Sequence, residues 1–273
     1  MKNEHQTSVL IVGCGWLGTQ LGHYLSNKGH TVWGTTRSKE RFPEIEKQGI
    51  IPVQWELSKD QEKFPDFQLF DSIIISITPG RGEERSTYKH KLKQLGALLK
   101  GQTDQVIMFS STSAYNGLNG VVKEEDAVPD KKSENEILAG EAYLLSEVPT
   151  ANIFRLAGLI GPNRHPIKYL AGRTGISNGE APVNLIHSDD IIRMVEKGIS
   201  NRITKEIVNV CSPHHPTKSV YYREVAQKLN LELPEFKKGG SKEKCVDGNK
   251  ITQLLSIEYK IVDLLDLELN FLT

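Results

Sequence analysis

Ser8-Val9-Leu10-Ile11-Val12-Gly13-Cys14-Gly15-Trp16-Leu17-Gly18 is a run of aliphatic residues entering a Gly-x-Gly-x-x-Gly turn. Residues 9–12 have the continuous branched character of a strand buried on both faces. Residues 19–28 carry Leu21 and Leu25 four apart, on one helical face, before Gly29-His30 closes the helix. Strand, glycine turn and helix in that order are the context in which the motif cradles a dinucleotide. Each glycine would have its own duty there. Gly13 permits the tight turn, Gly15 lets a pyrophosphate approach the backbone, and Gly18 lets the helix pack close to the sheet. Trp16 and Leu17 open the helix, whose unpaired N–H groups and partial positive charge would face the phosphates. With 23 glycines in the chain, the competing reading is a purely structural glycine-rich turn.

Residues 31–35 give a second strand, whose end decides which dinucleotide fits. A carboxylate there would accept hydrogen bonds from an adenosine ribose and repel a 2′-phosphate. The sequence offers Thr35-Thr36-Arg37-Ser38, with no carboxylate until Glu40. Arg37 can fork onto a phosphate while Thr36 and Ser38 add hydroxyl donors, so NADP is preferred over NAD. The plainer alternative leaves Arg37 as a solvated residue opening a polar helix over residues 39–48. Residues 50–55 read as a short third strand, and Pro52 suggests an edge position for it. In the loop Glu56-Leu57-Ser58, Glu56 either accepts from an adenine amino group or is simply solvated.

Residues 70–77 form the clearest buried strand. They end in Thr78-Pro79-Gly80-Arg81-Gly82, at the carboxyl edge where open α/β sheets bind ligands, so Thr78 and Pro79 join the expected cofactor contacts. A helix over 83–99 and a fifth strand over 105–109 follow, the strand running into Ser110-Ser111-Thr112-Ser113-Ala114-Tyr115-Asn116-Gly117. Strands alternating with helices predict an α/β doubly wound parallel sheet. A helix over 133–147 and a strand over 151–156 continue the pattern, after which glycines and prolines break it. Helices over 189–199 and 221–229 and a strand over 206–210 remain. The expected organisation is a nucleotide-binding domain over 1–156 and a smaller C-terminal substrate lobe over 157–273, with 207–210 returning as a strand.

The 273 residues carry 34 basic and 34 acidic side chains, which argues against a nucleic-acid surface. No apolar run approaches the ~20 residues of a membrane helix. The first six residues lack an apolar signal region, so a cytoplasmic protein is expected. Cys14, Cys211 and Cys245 are too few and scattered for a disulfide framework. His214-His215 has no third ligand nearby in sequence, so no metal site is expected either.

Several segments, in order, resemble the extended short-chain dehydrogenase/reductase family of NAD-dependent nucleotide-sugar epimerases and dehydratases. They are Gly13 to Gly18, the Ser-rich segment from Phe109 to Tyr115, Phe154-Arg155-Leu156 through Gly161-Pro162, Ile186-His187-Ser188-Asp189-Asp190, and Val208-Asn209-Val210. The resemblance implies a Rossmann-like fold, NAD(P) and a small-molecule substrate such as a nucleotide-sugar. It also implies a homodimer formed through helices on the sheet face.

The family's chemistry rests on Tyr-x-x-x-Lys. A tyrosine of pKa ~10 is a poor base at neutral pH without a neighbouring cation, so the two must occur together. Taking Glu141 as the family's following glutamate puts Ser133 at the tyrosine position and Ile137 at the lysine position. Among the eight tyrosines only Tyr24, with Lys28, has the right spacing, and it lies at the pyrophosphate end. Ser111 matches the family's catalytic Ser/Thr, and Tyr115 matches the tyrosine of its Val-Tyr-Gly turn. These two are the candidate catalytic residues: Ser111 to orient a substrate, Tyr115 either to act as a replacement acid in a cleft or to serve structure. His187 as a base is a weaker candidate. Arg155 is either a buried ion-pair partner or a substrate-phosphate ligand. Two functions stay open: an epimerase, dehydratase or reductase with non-standard catalytic residues, and a non-catalytic NADP(H)-binding sensor or scaffold.

Overall fold

The computed structural model describes residues 7–57, 69–80, 86–103 and 105–269. The N-terminal hexapeptide, Ser58, Arg81, Gly82 and the first three residues of the helix expected from residue 83 lie outside them. In chain order the elements begin β1 (Ser8–Val12), α1 (Trp16–Asn27), β2 (Thr31–Thr36), α2 (Phe42–Glu46), β3 (Ile51–Gln54), β4 (Ser72–Ile75), α3 (Tyr88–Leu99) and β5 (Val106–Ser111). They continue with β6 (Val121–Val122), α4 (Glu136–Glu147), β7 (Asn152–Leu156), β8 (Gly158–Ile160), α5 (Ile167–Leu170) and β9 (Leu185–His187). The last are α6 (Ser188–Ser200), β10 (Ile207–Val210), α7 (Lys218–Lys228), β11 (Cys245–Val246) and α8 (Asn249–Leu255).

Seven strands form a parallel sheet in the order β10-β7-β5-β4-β1-β2-β3, flanked by helices, as the alternation predicts. Both β1 and β4 are buried along most of their length, which is why they read as unbroken aliphatic runs. The strand order reverses at β1: the chain steps outward through β2 and β3, then returns to β4 on the other side. Val12 pairs beside Ile75 and Ile11 beside Gly34. The carboxyl ends of β1 and β4 therefore stand together at the switch point, where connections diverge and leave a crevice. Pro52 lies in β3, the edge strand, where its missing N–H is tolerated.

Three boundaries differ from expectation for local reasons. Residues 39–48 hold a 3₁₀ turn, Lys39–Arg41, before the five-residue α2. Pro43 sits in the first turn of α2, where a proline is accepted but through which a longer helix could not run. The helix expected from 133 starts at Glu136, because Asn135 caps it by accepting from the Ile137 N–H. The helix expected from 221 starts at Lys218, behind the Thr217 cap. Elements of two to four residues, such as β6, β8, β9 and β11, are too short to leave a period.

By internal contacts the chain divides into two compact units: Met1–Ala114 with Val128–Arg155 and Val195–Ile207, and Tyr115–Ala127 with Leu156–Met194 and Val208–Thr273. The second has its own core, in which Ile160, Ile167, Leu185, Tyr221, Tyr222 and Val225 pack together. His165 sits beside that core, its Nδ1 accepting from the Ile167 N–H at 3.1 Å and its Nε2 2.9 Å from the Tyr221 hydroxyl. An acceptor Nδ1 requires the neutral ring protonated on Nε2. Burial holds the His165 pKa down at about 4 from 6.5. Between those values the unfolded chain binds a proton that the folded chain does not, so stability falls as pH drops from 6.5 toward 4. His165→Gln is expected to remove a penalty of about 3 kcal/mol at pH 4 relative to pH 7. Urea titrations of both proteins at the two pH values check this; parallel acid losses would rule His165 out as the cause. No helix of the described residues is long and apolar enough to cross a membrane.

Candidate functional site

The cradle is built within the first unit. At the end of β1, Gly13 has φ +103°, a left-handed conformation that favours glycine, and an added Cβ would stand 3.0 Å from Ser76 O. The turn is locked onto β2 by two bonds: Gly13 N–H donates to Thr35 Oγ1 at 2.9 Å, and Cys14 N–H to Thr35 O at 2.8 Å. Gly15 caps α1 without a side chain, and no acidic residue stands in the first turn of that helix. A Cβ at Gly15 would meet nothing within 4 Å, so the space above the helix start is open. At Gly18, by contrast, a Cβ would run into Gly13 O and come within 3.2 Å of Ile11 Cγ2. The three glycines thus meet three different geometries: a left-handed turn, an open approach and a close packing contact.

An open cleft of about 310 Å³ spreads from this turn, at the lower end of small-molecule sites. Gly13, Gly15, Thr36, Arg37 and Thr78 line it. Trp16, Leu17, Gly18, Ser38 and Pro79 adjoin those residues in the chain but are not on its wall, and Leu17 is buried in the core. The end of β2 carries no carboxylate of its own. Arg37 is largely exposed and its Nη1 lies 3.8 Å from the Oε1 of Glu56, another lining residue. Ser38 Oγ donates to Glu40.

Sequence reading missed Arg41, Trp55 and Lys91, which also line the cleft. Arg41 donates from Nη1 to Cys14 O at 2.6 Å and from Nε and Nη2 to the two Glu44 oxygens at 3.3 Å. Its guanidinium is therefore fixed against the glycine turn. The spacing Arg37-x-x-x-Arg41, across one turn after β2, was the available signal. Lys91 comes from α3 and left no signal of that kind. Burial pushes the Cys14 thiol up to about 12, outweighing the lowering pull of Arg41, so the turn carries no thiolate at neutral pH. Among the described residues the cleft is lined by three cations and one carboxylate.

The Ser-rich segment ends β5 and forms a 3₁₀ turn, Thr112–Tyr115. Ser110 Oγ donates to Glu141 Oε1 at 2.5 Å, and Arg155 forks onto the same carboxylate, Nε at 3.1 Å and Nη2 at 2.7 Å. Arg155 and Glu141 are both fully buried. Of the two roles open for Arg155, the buried ion pair is the one the structure displays. Ser111 is half-buried, its Oγ donating to Ser113 Oγ and accepting from the Ser113 N–H, both at 3.1 Å. Ser133 Oγ accepts from the Asn135 N–H, and Ile137 is fully buried. Neither supplies an acid or a base. Asn135, between them, donates to the carbonyls of Ser113 and Ala114 at 2.9 and 3.2 Å and so ties the Ser-rich turn to the start of α4.

Tyr115 belongs to the second unit and does not open into a cleft. It is fully buried and its hydroxyl donates to Asn209 Oδ1 at 2.6 Å. Asn209 in turn donates to Glu124 Oε1 and to Asp247 O, so Tyr115 takes part in a structural network. His187 is buried as well. Its Nδ1 accepts from the Asp189 N–H at 3.2 Å, and burial lowers its pKa against the raising effect of Asp189 and Asp190. Asp190, at the start of α6, accepts from the backbone N–H groups of Lys260 and Ile261 and fixes that late segment. His214 pairs with Asp263 at 2.5 Å while His215 contacts Val183 O at 2.9 Å, so the two rings serve different partners.

The ketopantoate reductase PanE/ApbA family model matches residues 9–77, a stretch that includes most of the described residues lining the cleft. Two solved structures align with nearly the whole chain. One is a UDP-glucuronic acid 4-epimerase from Bacillus cereus in complex with NAD, with TM-score 0.73, 20% identity and 95% of each chain covered. The other is the Bordetella bronchiseptica enzyme WbmG in complex with NAD and UDP, with TM-score 0.76, 16% identity, and 97% of this chain and 92% of that one covered. At such identities the likeness is one of fold. Protein YeeZ of Escherichia coli K12 is similar in sequence, 32% identical over 265 residues that cover 93% of this chain and 96% of that protein. On that match the chain belongs to the family of Protein YeeZ.

Proposed function

We propose that the protein binds a nicotinamide dinucleotide, NADP(H) in preference to NAD(H), in the cleft at the end of β1. The observation that carries this is the open backbone at Gly15 above the uncapped start of α1, beside Arg37 and Arg41. Gly13 and Gly15 would admit the pyrophosphate to the helix N-terminus. Thr36, Arg37, Ser38 and Arg41 would receive the 2′-phosphate, and Thr78 and Pro79 would flank the cofactor from the β4 side. A bound nicotinamide would supply hydride transfer. Ser111 would orient a small carbonyl or nucleotide-sugar-like substrate. That substrate class is supported by the fold likeness to proteins solved with NAD and UDP. The extended short-chain dehydrogenase/reductase classification and a homodimer are part of the same proposal.

Arg37→Glu is expected to weaken NADP binding at least about 30-fold while changing NAD less than about threefold, because a guanidinium–phosphate pair becomes a repulsion. Isothermal titration with both cofactors checks it, and equal losses would remove Arg37 from the 2′-phosphate site. A second reading, a dinucleotide-binding module without redox chemistry, is favoured by the burial of Tyr115 and Ile137 and by a Ser111 hydroxyl that, among the described residues, bonds Ser113. Cofactor consumption and substrate conversion, each followed over a panel of carbonyl and nucleotide-sugar substrates with NADPH and with NADP, separate the two: turnover on any member excludes the non-catalytic reading.

A further inference from the structure

Among the described residues two arginines line the cleft, each held by a carboxylate, and the two arrangements differ in kind. Arg41 is forked onto Glu44 three residues along the same turn and is also bonded to Cys14 O, so it is fixed from two sides. Arg37 reaches from the end of β2 to Glu56 beyond the end of β3, a single contact of 3.8 Å between largely exposed groups. An exposed pair of that sort contributes little to stability. It is therefore readily exchanged for a better anion. Glu56 lines the same cleft as Thr36, Arg37 and Arg41 and is the carboxylate on that wall among the described residues. A phosphate entering the group would meet its charge as well as the cations.

We propose that Glu56 sets cofactor choice: it is the counter-ion that Arg37 must leave in order to take a 2′-phosphate, and it lowers the affinity for NADP without acting on NAD. This rests on the assignment of Arg37 to the 2′-phosphate in the proposed function. A carboxylate just beyond the neighbouring strand β3, not at the end of β2 itself, then moderates a site that would otherwise favour NADP more strongly. With NAD, which carries no 2′-phosphate, the Arg37–Glu56 pair is free to persist.

Glu56→Gln keeps the size of the side chain and removes its charge. It is expected to tighten NADP three- to tenfold, roughly the worth of an exposed pair plus the relieved repulsion, and to change NAD less than about 1.5-fold. In 1 M salt, where the screening length is about 3 Å, the NADP gain should largely vanish. In the Arg37→Gln background the same substitution should bring less than half of its gain, since the pair no longer exists. Fluorescence titration of NADPH and NADH, with melting temperature as a folding control, reads all three. Equal weakening of both cofactors would overturn the proposal by making Glu56 a ligand of the adenine, and an unchanged NADP affinity would overturn it as well. If NADP fails to bind the wild-type protein, the cofactor assignment falls and this proposal with it. If NADP binds and Arg37→Glu weakens it while Glu56→Gln does nothing, only this proposal falls.

Discussion

Glu141→Gln is expected to destabilise the protein by about 3–5 kcal/mol, although the substitution barely changes side-chain volume. Arg155 is fully buried and forks onto both Glu141 oxygens, while Ser110 donates to one of them. Removing the negative charge takes away the carboxylate onto which an enclosed guanidinium forks, a far larger loss than that of one neutral hydrogen bond. For a chain of this size the melting temperature should fall by roughly 6–20 °C. Arg155→Met alone should be damaging in the same way, since it strands the carboxylate. The double variant Glu141→Leu/Arg155→Met should recover most of the loss, because two apolar side chains of similar volume need no partner. Urea unfolding of the three variants measures each number. A Glu141→Gln cost under about 1 kcal/mol would mean that Arg155 already satisfies its charge elsewhere, and the pair would not be what joins β7 to α4.

That pair also marks the limit of what the chain disclosed on its own. β1 and β4 were legible because strands buried on both faces have to be aliphatic throughout, and the edge position of β3 was legible because Pro52 cannot serve a central ladder. The partner of Arg155 was not. Glu141 lies 14 residues away on a helix whose other residues give no hint that one carboxylate points inward, and only the packing of α4 on the sheet decides it. Tyr115 illustrates the same limit from the other side. Its place after the Ser-rich segment was right for a reactive hydroxyl, but it is fully buried and its hydroxyl bonds Asn209, 94 positions further on. Arg41 was missed for a different reason: residues 39–48 read as one polar helix, and in a solvated helix an arginine carries no message. The 3₁₀ turn ahead of Pro43 is what brings its guanidinium to Cys14 O. Local signals named the cradle, and long-range contacts decided what stands around it.

Gly15→Asp should separate the cradle's two duties more sharply than any other change. The new Cβ enters space with no atom within 4 Å, and the backbone at φ −83°, ψ −158° is one that aspartate adopts without strain. An aspartate at that position can accept from the first N–H groups of α1 and complements the helix dipole, so stability should hold or rise by about 0.5 kcal/mol. The same carboxylate stands where a pyrophosphate would approach. Like charges about 4 Å apart near a protein surface repel by about 4 kcal/mol, so NADP and NAD should both weaken at least 100-fold. Gly18→Ala should behave in the opposite way. Its Cβ collides with Gly13 O inside the turn, and the overpacking should cost about 3 kcal/mol before any ligand is added. Melting curves and cofactor titrations on the two variants together decide the matter. A Gly15→Asp protein that binds NADP as the wild type does would make the glycine turn structural only, and the cofactor site would have to be sought elsewhere.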